Sequence, residues 1–147
     1  MIQADDLRPL NWVKIFLGID DNGAEYRNIK INGIMQDLVG EWYYLLSNTW
    51  HHISQNIEPI PLNEEILLKC GFEKYIKKSN IDGIEMRLQA DGNGNDGTYF
   101  LSCGGFNGGL YVLVLCKGNY ICNNIEYLHE LQNLYYSLTK TELQIAL

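Results

Sequence analysis

The chain has 147 residues, 46% of them hydrophobic and 20% charged, proportions that are typical of a globular protein and exclude global disorder. Its formal net charge of −7 argues against sequence-independent binding of DNA or RNA, which requires clustered Lys and Arg to displace counterions. No apolar run approaches the roughly 18 residues of a membrane span, and the acidic opening MIQADDLRPL lacks the layout of a signal peptide. We therefore expect a cytoplasmic protein.

Residues 1–56 predict short β-strands joined by tight turns. The strand segments are rich in β-branched and aromatic residues, and the second of them alternates between apolar and polar positions. Asn22-Gly23 and Asn32-Gly33 are tight-turn signals, because both residue types tolerate positive φ. The predicted strands are Trp12–Ile19, Ala24–Ile31, Glu41–Ser47 and Thr49–Ile53.

The segment IEPIPLNEEILLKCGFEK (Ile57–Lys74) predicts an extended linker followed by a short helix. Its two prolines stop any preceding strand from continuing. Asn63 is a good N-cap, and the two glutamates after it occupy the first turn, where the helix dipole favours them. Gly71 suits the left-handed residue that ends a helix. We expect this helix over about residues 63–70.

Between residues 84 and 122, short apolar segments alternate with Gly- and Asn-rich ones, which predicts an antiparallel meander. The elements together predict an α+β fold, with an antiparallel β meander or half-open barrel and two helices packed on the sheet. We expect a single domain over residues 1–147. Its β-rich N-terminal part covers residues 1–56, and residues 57–147 hold the first helix, the meander and the C-terminal helix.

The C-terminal helix is predicted over about residues 124–139, with Asn123 as N-cap and Glu126 at N3. Its apolar residues recur at steps of three and four and form one packing stripe. His129 lies off that stripe, so we expect a surface or boundary residue without a catalytic role. The stripe consists of Ile125, Leu128, Leu131, Leu134, Tyr135 and Leu138.

The chain contains histidines and cysteines, which are common metal ligands, but their spacing does not match that of a metal site. His51 and His52 are adjacent on a predicted strand and face opposite sides, and the four cysteines form no C-x-x-C pair. DGNGND (residues 91–96) has the first spacings of a calcium loop, but Asp96 and Ser102 stand where that loop requires Gly and Glu. We expect no metal, no cofactor and free thiols.

GGFNGG (Gly104–Gly109) is predicted to be a loop between two strands. Its four glycines expose backbone N–H groups that could line a site for an anion or a flat ligand, while a loose hairpin connection is the alternative. The chain also has three Trp and ten Tyr, and three consecutive aromatics from residue 42 must divide between the two faces of a strand. The candidate ligand-binding residues are Gly104, Gly105, Phe106, Asn107, Trp42, Trp50 and His51.

Two segments of the chain match recurring sequence patterns. PIPLNEEILLKCGFEK (Pro59–Lys74) is similar to the pattern P-I-P-L-[TN]-E-E-x-L-x-K-x-G-F-E, and IEYLHELQNLYYSLTKTEL (Ile125–Leu143) is similar to the pattern that closes the same proteins. In these segments the chain resembles a family of small proteins from Bacteroidetes bacteria, their phages and mobile elements. The two segments cover about a quarter of the chain, and residues 1–60 resemble the family much less. The resemblance implies a phage or mobile-element setting and carries no activity or site residue.

These observations favour a non-enzymatic accessory protein, acting in counter-defence, that sequesters a small nucleotide-type signal as a sponge. The alternative is a protein–protein inhibitor or adaptor that docks an acidic, aromatic face on a host protein. An enzyme using His129 or His51 as a base is least favoured, since no nucleophile, metal set or phosphate motif accompanies either residue. We expect no direct nucleic-acid binding, no membrane association and a location in the host cytoplasm, and the sequence leaves homo-oligomer formation open.

Overall fold

Ten β-strands and two α-helices form within the described residues of a computed structural model, which confirms the predicted α+β class. The described residues are 6–20, 23–52, 57–75, 85–91, 98–106, 109–116 and 119–147. The chain divides into two units, Met1–Pro61 with Tyr127–Asn133, and Leu62–Glu126 with Leu134–Leu147. That residues 1–147 form one domain stays a prediction. Neither described helix has the length and apolar character that a membrane crossing requires.

The first unit contains an open five-stranded antiparallel sheet in the order β4-β3-β2-β1-β5. Strands β1 to β4 are consecutive hairpins, as the predicted meander requires, and β5 returns to pair with β1. Its strands are β1 (Trp12–Asp20), β2 (Gly23–Gln36), β3 (Trp42–Leu46), β4 (Thr49–His52) and β5 (Ile57–Glu58).

One face of this sheet holds the apolar core of the first unit. Because successive side chains on a strand point to opposite faces, every second residue of β1 to β3 reaches this core. Val13, Ile31 and Tyr44 are fully buried there, and Leu46 is 1% exposed. Half-buried isoleucines from β1, β2 and β5 pack around them. The opposite face of β1 and β2 is left for polar and aromatic side chains.

The predicted turn at Asn32-Gly33 is wrong. Strand β2 continues to Gln36, and its register with β3 shifts between Ile31 and Gly33, so Asn32 is the additional residue of a β-bulge. The chain reverses instead at residues 37–40. There the Asp37 carboxylate accepts hydrogen bonds from the backbone N–H groups of Val39 and Glu41, both at 2.9 Å.

The second unit contains another open antiparallel sheet, in the order β10-β9-β8-β7-β6. Each strand pairs with its neighbour in sequence, so the meander predicted between residues 84 and 122 is confirmed for the described backbone. The strands are β6 (Glu73–Tyr75), β7 (Glu85–Asp91), β8 (Thr98–Phe106), β9 (Gly109–Cys116) and β10 (Asn119–Asn124).

Helix α1 (Glu64–Lys69) confirms the first helix prediction, including both of its ends. The Asn63 side chain accepts a hydrogen bond from the Ile66 N–H at 2.9 Å. At the other end Gly71 has φ +83°, and the Phe72 N–H donates to the Leu67 carbonyl at 3.0 Å. This left-handed ending satisfies carbonyls that the last turn would otherwise leave without donors.

Helix α2 (Leu128–Thr139) ends where predicted but starts later. The predicted cap Asn123 lies in β10, opposite Val112, so the strand ladder occupies the residues that were expected to open the helix. Glu130 performs the role predicted for Glu126, since its carboxylate accepts the Tyr127 N–H at 3.0 Å.

Replacing Leu131 by Ala is expected to lower the free energy of unfolding by about 2–5 kcal/mol, because this side chain is fully buried and its loss leaves a cavity. Leu68→Ala on α1 is the matched control, since Leu68 is 48% exposed and its truncation should cost much less. Urea denaturation of both variants measures the difference. An equal loss of unfolding free energy in the two variants would show that α2 does not pack as described.

Candidate ligand-binding face

Strands β1 and β2 place a group of aromatic and lysine side chains on the face of the sheet opposite the core. On β1, Trp12, Lys14 and Phe16 alternate with the buried Val13, so they point away from the core. The antiparallel register sets Lys30 opposite Trp12 and Tyr26 opposite Phe16. Residues directly opposite each other share a face. We call this set of five, Trp12, Lys14, Phe16, Tyr26 and Lys30, the aromatic–lysine face.

Each end of this face combines an aromatic ring with an ammonium group. At one end the Lys30 Nζ lies 5.7 Å from the centroid of the Trp12 ring. At the other end the Lys14 Nζ lies 5.9 Å from the Tyr26 centroid, and Phe16 packs against Tyr26 with their centroids 5.5 Å apart. Cations at such distances are attracted by the ring face, which holds the flexible lysine side chains near the rings.

The local charge of this face differs in sign from that of the whole chain. Glu58 on β5 stands opposite Lys14, and its carboxylate accepts a hydrogen bond from the Tyr26 hydroxyl at 3.3 Å. The negative charge of Glu58 raises the pKa of the Tyr26 phenol above its ordinary value. Two lysines against this one carboxylate leave a net positive charge on the face, while the chain carries −7.

The side chains of the face are accessible from solvent. Tyr26 is 44% exposed and Lys30 is exposed, while Trp12, Lys14 and Phe16 are half-buried. A planar ring could stack on the aromatic side chains of the face, and an anionic group could pair with its two ammonium groups. The arrangement can therefore bind a flat, negatively charged molecule.

The predicted aromatic residues do not form one cluster. Trp42 and His51 lie on the core side of β3 and β4, because they share a face with the buried Tyr44. Trp50 pairs with Leu45 on the opposite face, and a Cβ built on Gly33 would lie 3.5 Å from the Trp50 ring. The expected division of consecutive aromatics between two faces is confirmed, but Trp42, Trp50 and His51 are not brought together.

The glycine-rich segment is not the predicted loop. Gly104, Gly105 and Phe106 belong to β8, and Gly109 opens β9 directly opposite Phe106. Pairing between the two strands therefore replaces the open six-residue loop for which an anion site and a loose hairpin connection were the two alternatives. Asn107, the fourth candidate of this segment, lies outside the described residues.

His129 is buried, which corrects the prediction of a surface or boundary position. It is 3% exposed, and its ring stacks on Tyr127 with the centroids 5.9 Å apart. Its Nδ1 has no hydrogen-bond partner among the residues that the structure describes. Burial lowers the pKa of His129, although the nearby carboxylates of Glu130 and Asp6 act in the opposite direction. No group of three His, Cys, Asp or Glu that could hold a metal occurs in the described part of the chain.

Gln132 is also buried, and it joins α2 to the residues that precede β1. Its side-chain amide donates to the Leu10 carbonyl at 3.1 Å and accepts the Trp12 N–H at 2.9 Å. Next to it, the Asn133 side-chain oxygen accepts hydrogen bonds from the Arg8 Nε at 2.8 Å and the Asn11 Nδ2 at 3.1 Å. The Gln132 side chain thus holds the backbone of Trp12, the first residue of the aromatic–lysine face.

None of the five residues of the face was among the predicted site residues. The sequence does contain a signal for this face. In WVKIF, alternation along a strand places Trp12, Lys14 and Phe16 on one face and the apolar residues between them on the other. Comparison with protein-family models, curated proteins and solved structures finds no match to this chain. The candidate site therefore rests on the geometry of this chain.

The burial of His129 predicts that stability falls as the pH is lowered. Its folded-state pKa is below the unfolded value, so the unfolded chain binds the additional proton. The contribution of this residue is complete above the unfolded pKa, near 6.5, and is lost as the pH falls through the folded pKa. Urea denaturation between pH 7.5 and about 5 should show a smaller loss for His129→Gln than for the parent chain.

Leu68→Ala is the control for this experiment, because it changes no titratable group. It should keep the pH dependence of the parent chain. An unchanged pH dependence in His129→Gln would contradict the assignment to His129.

Proposed function

We propose that this protein is a non-enzymatic binding protein that sequesters a small nucleotide-type molecule on its aromatic–lysine face. The observation that carries the proposal is the pairing of a ring and an ammonium group at both ends of the face, at 5.7 Å for Lys30 and Trp12 and at 5.9 Å for Lys14 and Tyr26. A nucleotide has the complementary parts, a planar base and an anionic phosphate.

The energetics of stacking support this ligand class. Stacking of a base on an aromatic side chain contributes about 1–3 kcal/mol and does not depend strongly on which base is present. The phosphate would gain from the lysines, and the positive local charge offsets the repulsion that a chain of net charge −7 exerts on an anion. Sequestration requires binding alone, so the proposal assigns no catalytic residue.

The biological setting follows from the family resemblance in Pro59–Lys74 and Ile125–Leu143. Proteins of phages and mobile elements act in the conflict with host defence, in which a small nucleotide can be the alarm signal. We therefore propose a counter-defence role in the host cytoplasm, where such a signal would be removed from its receptor.

An exposed hairpin tip supports the second candidate, a protein–protein inhibitor or adaptor. Leu38 is fully exposed and Val39 is 82% exposed, and the hydrogen bonds from Val39 and Glu41 to Asp37 order the turn that presents them. Contact of adjacent large apolar side chains with water is unfavourable. A partner that buried these two side chains would gain that free energy on binding. In this version the acidic residues beside them would face a basic host surface.

Calorimetric titration with adenine mononucleotides, cyclic nucleotides and ADP-ribose tests the proposal. Tyr26→Leu and Lys30→Gln combined in one chain remove a ring from one end of the face and an ammonium group from the other, and are expected to weaken binding by about 5- to 150-fold. Both residues are exposed at the surface, so melting temperatures should change little. Lys69→Gln is the matched control, because Lys69 lies on α1 and is ion-paired with Glu65 at 2.8 Å.

Three results would contradict the nucleotide proposal. Failure of the parent chain to bind any probe would leave the inhibitor reading as the better one. Equal weakening by Lys69→Gln and by the Tyr26→Leu/Lys30→Gln double variant would show that general charge, rather than this face, determines binding. Full binding by the double variant would remove the role of the face on which the proposal depends.

A further inference from the structure

The two ring-and-ammonium pairs of the aromatic–lysine face are separated along the strands. Trp12 and Lys30 form one cross-strand pair, and Phe16 and Tyr26 form another four residues further along β1. At about 3.3 Å per residue in a β-strand, the two aromatic positions lie about 13 Å apart. A single base stacked at one end therefore leaves the ring at the other end uncovered.

The charges are distributed in the same manner. Lys30 lies by the ring at the first end, and Lys14 lies opposite Asn28 in the row between the two aromatic rows, with its Nζ over Tyr26. Each half of the face thus offers one aromatic surface and one ammonium group. The face consists of two similar half-sites rather than one pocket.

We infer that the ligand class of this face is a dinucleotide, with two bases joined through riboses and two phosphate groups. The inference rests on the proposed nucleotide-binding function and deepens it. Each base stacks in one half-site, and the two phosphates meet the two ammonium groups between and beside the rings. Linear and cyclic dinucleotides share this chemistry.

The charge of the chain sets an upper limit on ligand length. A third or later phosphate would have no lysine of this face to pair with. It would also be repelled by Glu58 and by the net charge of −7 on the chain. A longer oligonucleotide should gain little affinity from its additional nucleotides.

The experiment compares probes that differ in one feature each, by calorimetric titration of the full chain. ADP carries one base and two phosphates, whereas the linear dinucleotide pApA carries two bases and two phosphates. Because stacking tolerates any base, adenine probes are sufficient. Cyclic di-AMP tests the closed form of the dinucleotide, and hexa-adenylate tests length.

We expect pApA or cyclic di-AMP to bind at least about tenfold more tightly than ADP, since a second base is stacked. Tyr26→Leu should remove most of this advantage and leave ADP affinity less changed, because ADP can use the Trp12 half-site. Tyr26→Phe is the conservative control, since it keeps the ring and should preserve the advantage.

Equal affinities for ADP and both dinucleotides would overturn the inference and leave the proposed nucleotide function standing. A hexa-adenylate affinity more than tenfold above that of pApA would also overturn it, in favour of a single-stranded nucleic acid. Failure of every probe to bind would remove the proposed function and this inference together.

Discussion

The aromatic–lysine face depends on a contact between residues far apart in sequence, in which the buried Gln132 amide bonds the backbone on both sides of Asn11. Gln132 donates to the Leu10 carbonyl and accepts the Trp12 N–H, so both of its amide groups are used. A buried amide without partners is costly, and this pairing therefore permits one arrangement of residues 10–12 against α2. That arrangement sets where β1 begins, and alternation along β1 then decides which side chains reach the open face.

The parts of the fold that sequence reasoning predicted correctly are those with signals inside a few residues. Helix α1 is an example, because Asn63 and Gly71 cap it through bonds that do not depend on the rest of the chain. Asn32-Gly33 has an equally clear local signal, but the register with β3 turns it into a bulge. Asn123 failed as a helix cap for the same reason, since its pairing with β9 lies outside any local pattern.

The candidate site was harder to predict, because membership of a face depends on which side of the sheet becomes the core. The stripe on α2 correctly named Leu128 and Leu131 as buried, but it implied that the other side of the helix faces water. The first half of α2 is instead enclosed on more than one side, and His129 and Gln132 are buried with it. Composition drew attention to Trp50 and the glycines, whereas cross-strand pairing selects Trp12, Phe16 and Tyr26.

The location of the ligand on β1 and β2 is the central claim, and an NMR titration of the ¹⁵N-labelled chain with pApA tests it most directly. The predicted result is that amide shifts concentrate in residues 12–16 and 26–30, including both half-sites of the aromatic–lysine face, while residues 104–106 of β8 stay unchanged. Shifts centred on residues 104–106, or on the exposed tip at Leu38 and Val39, would contradict it.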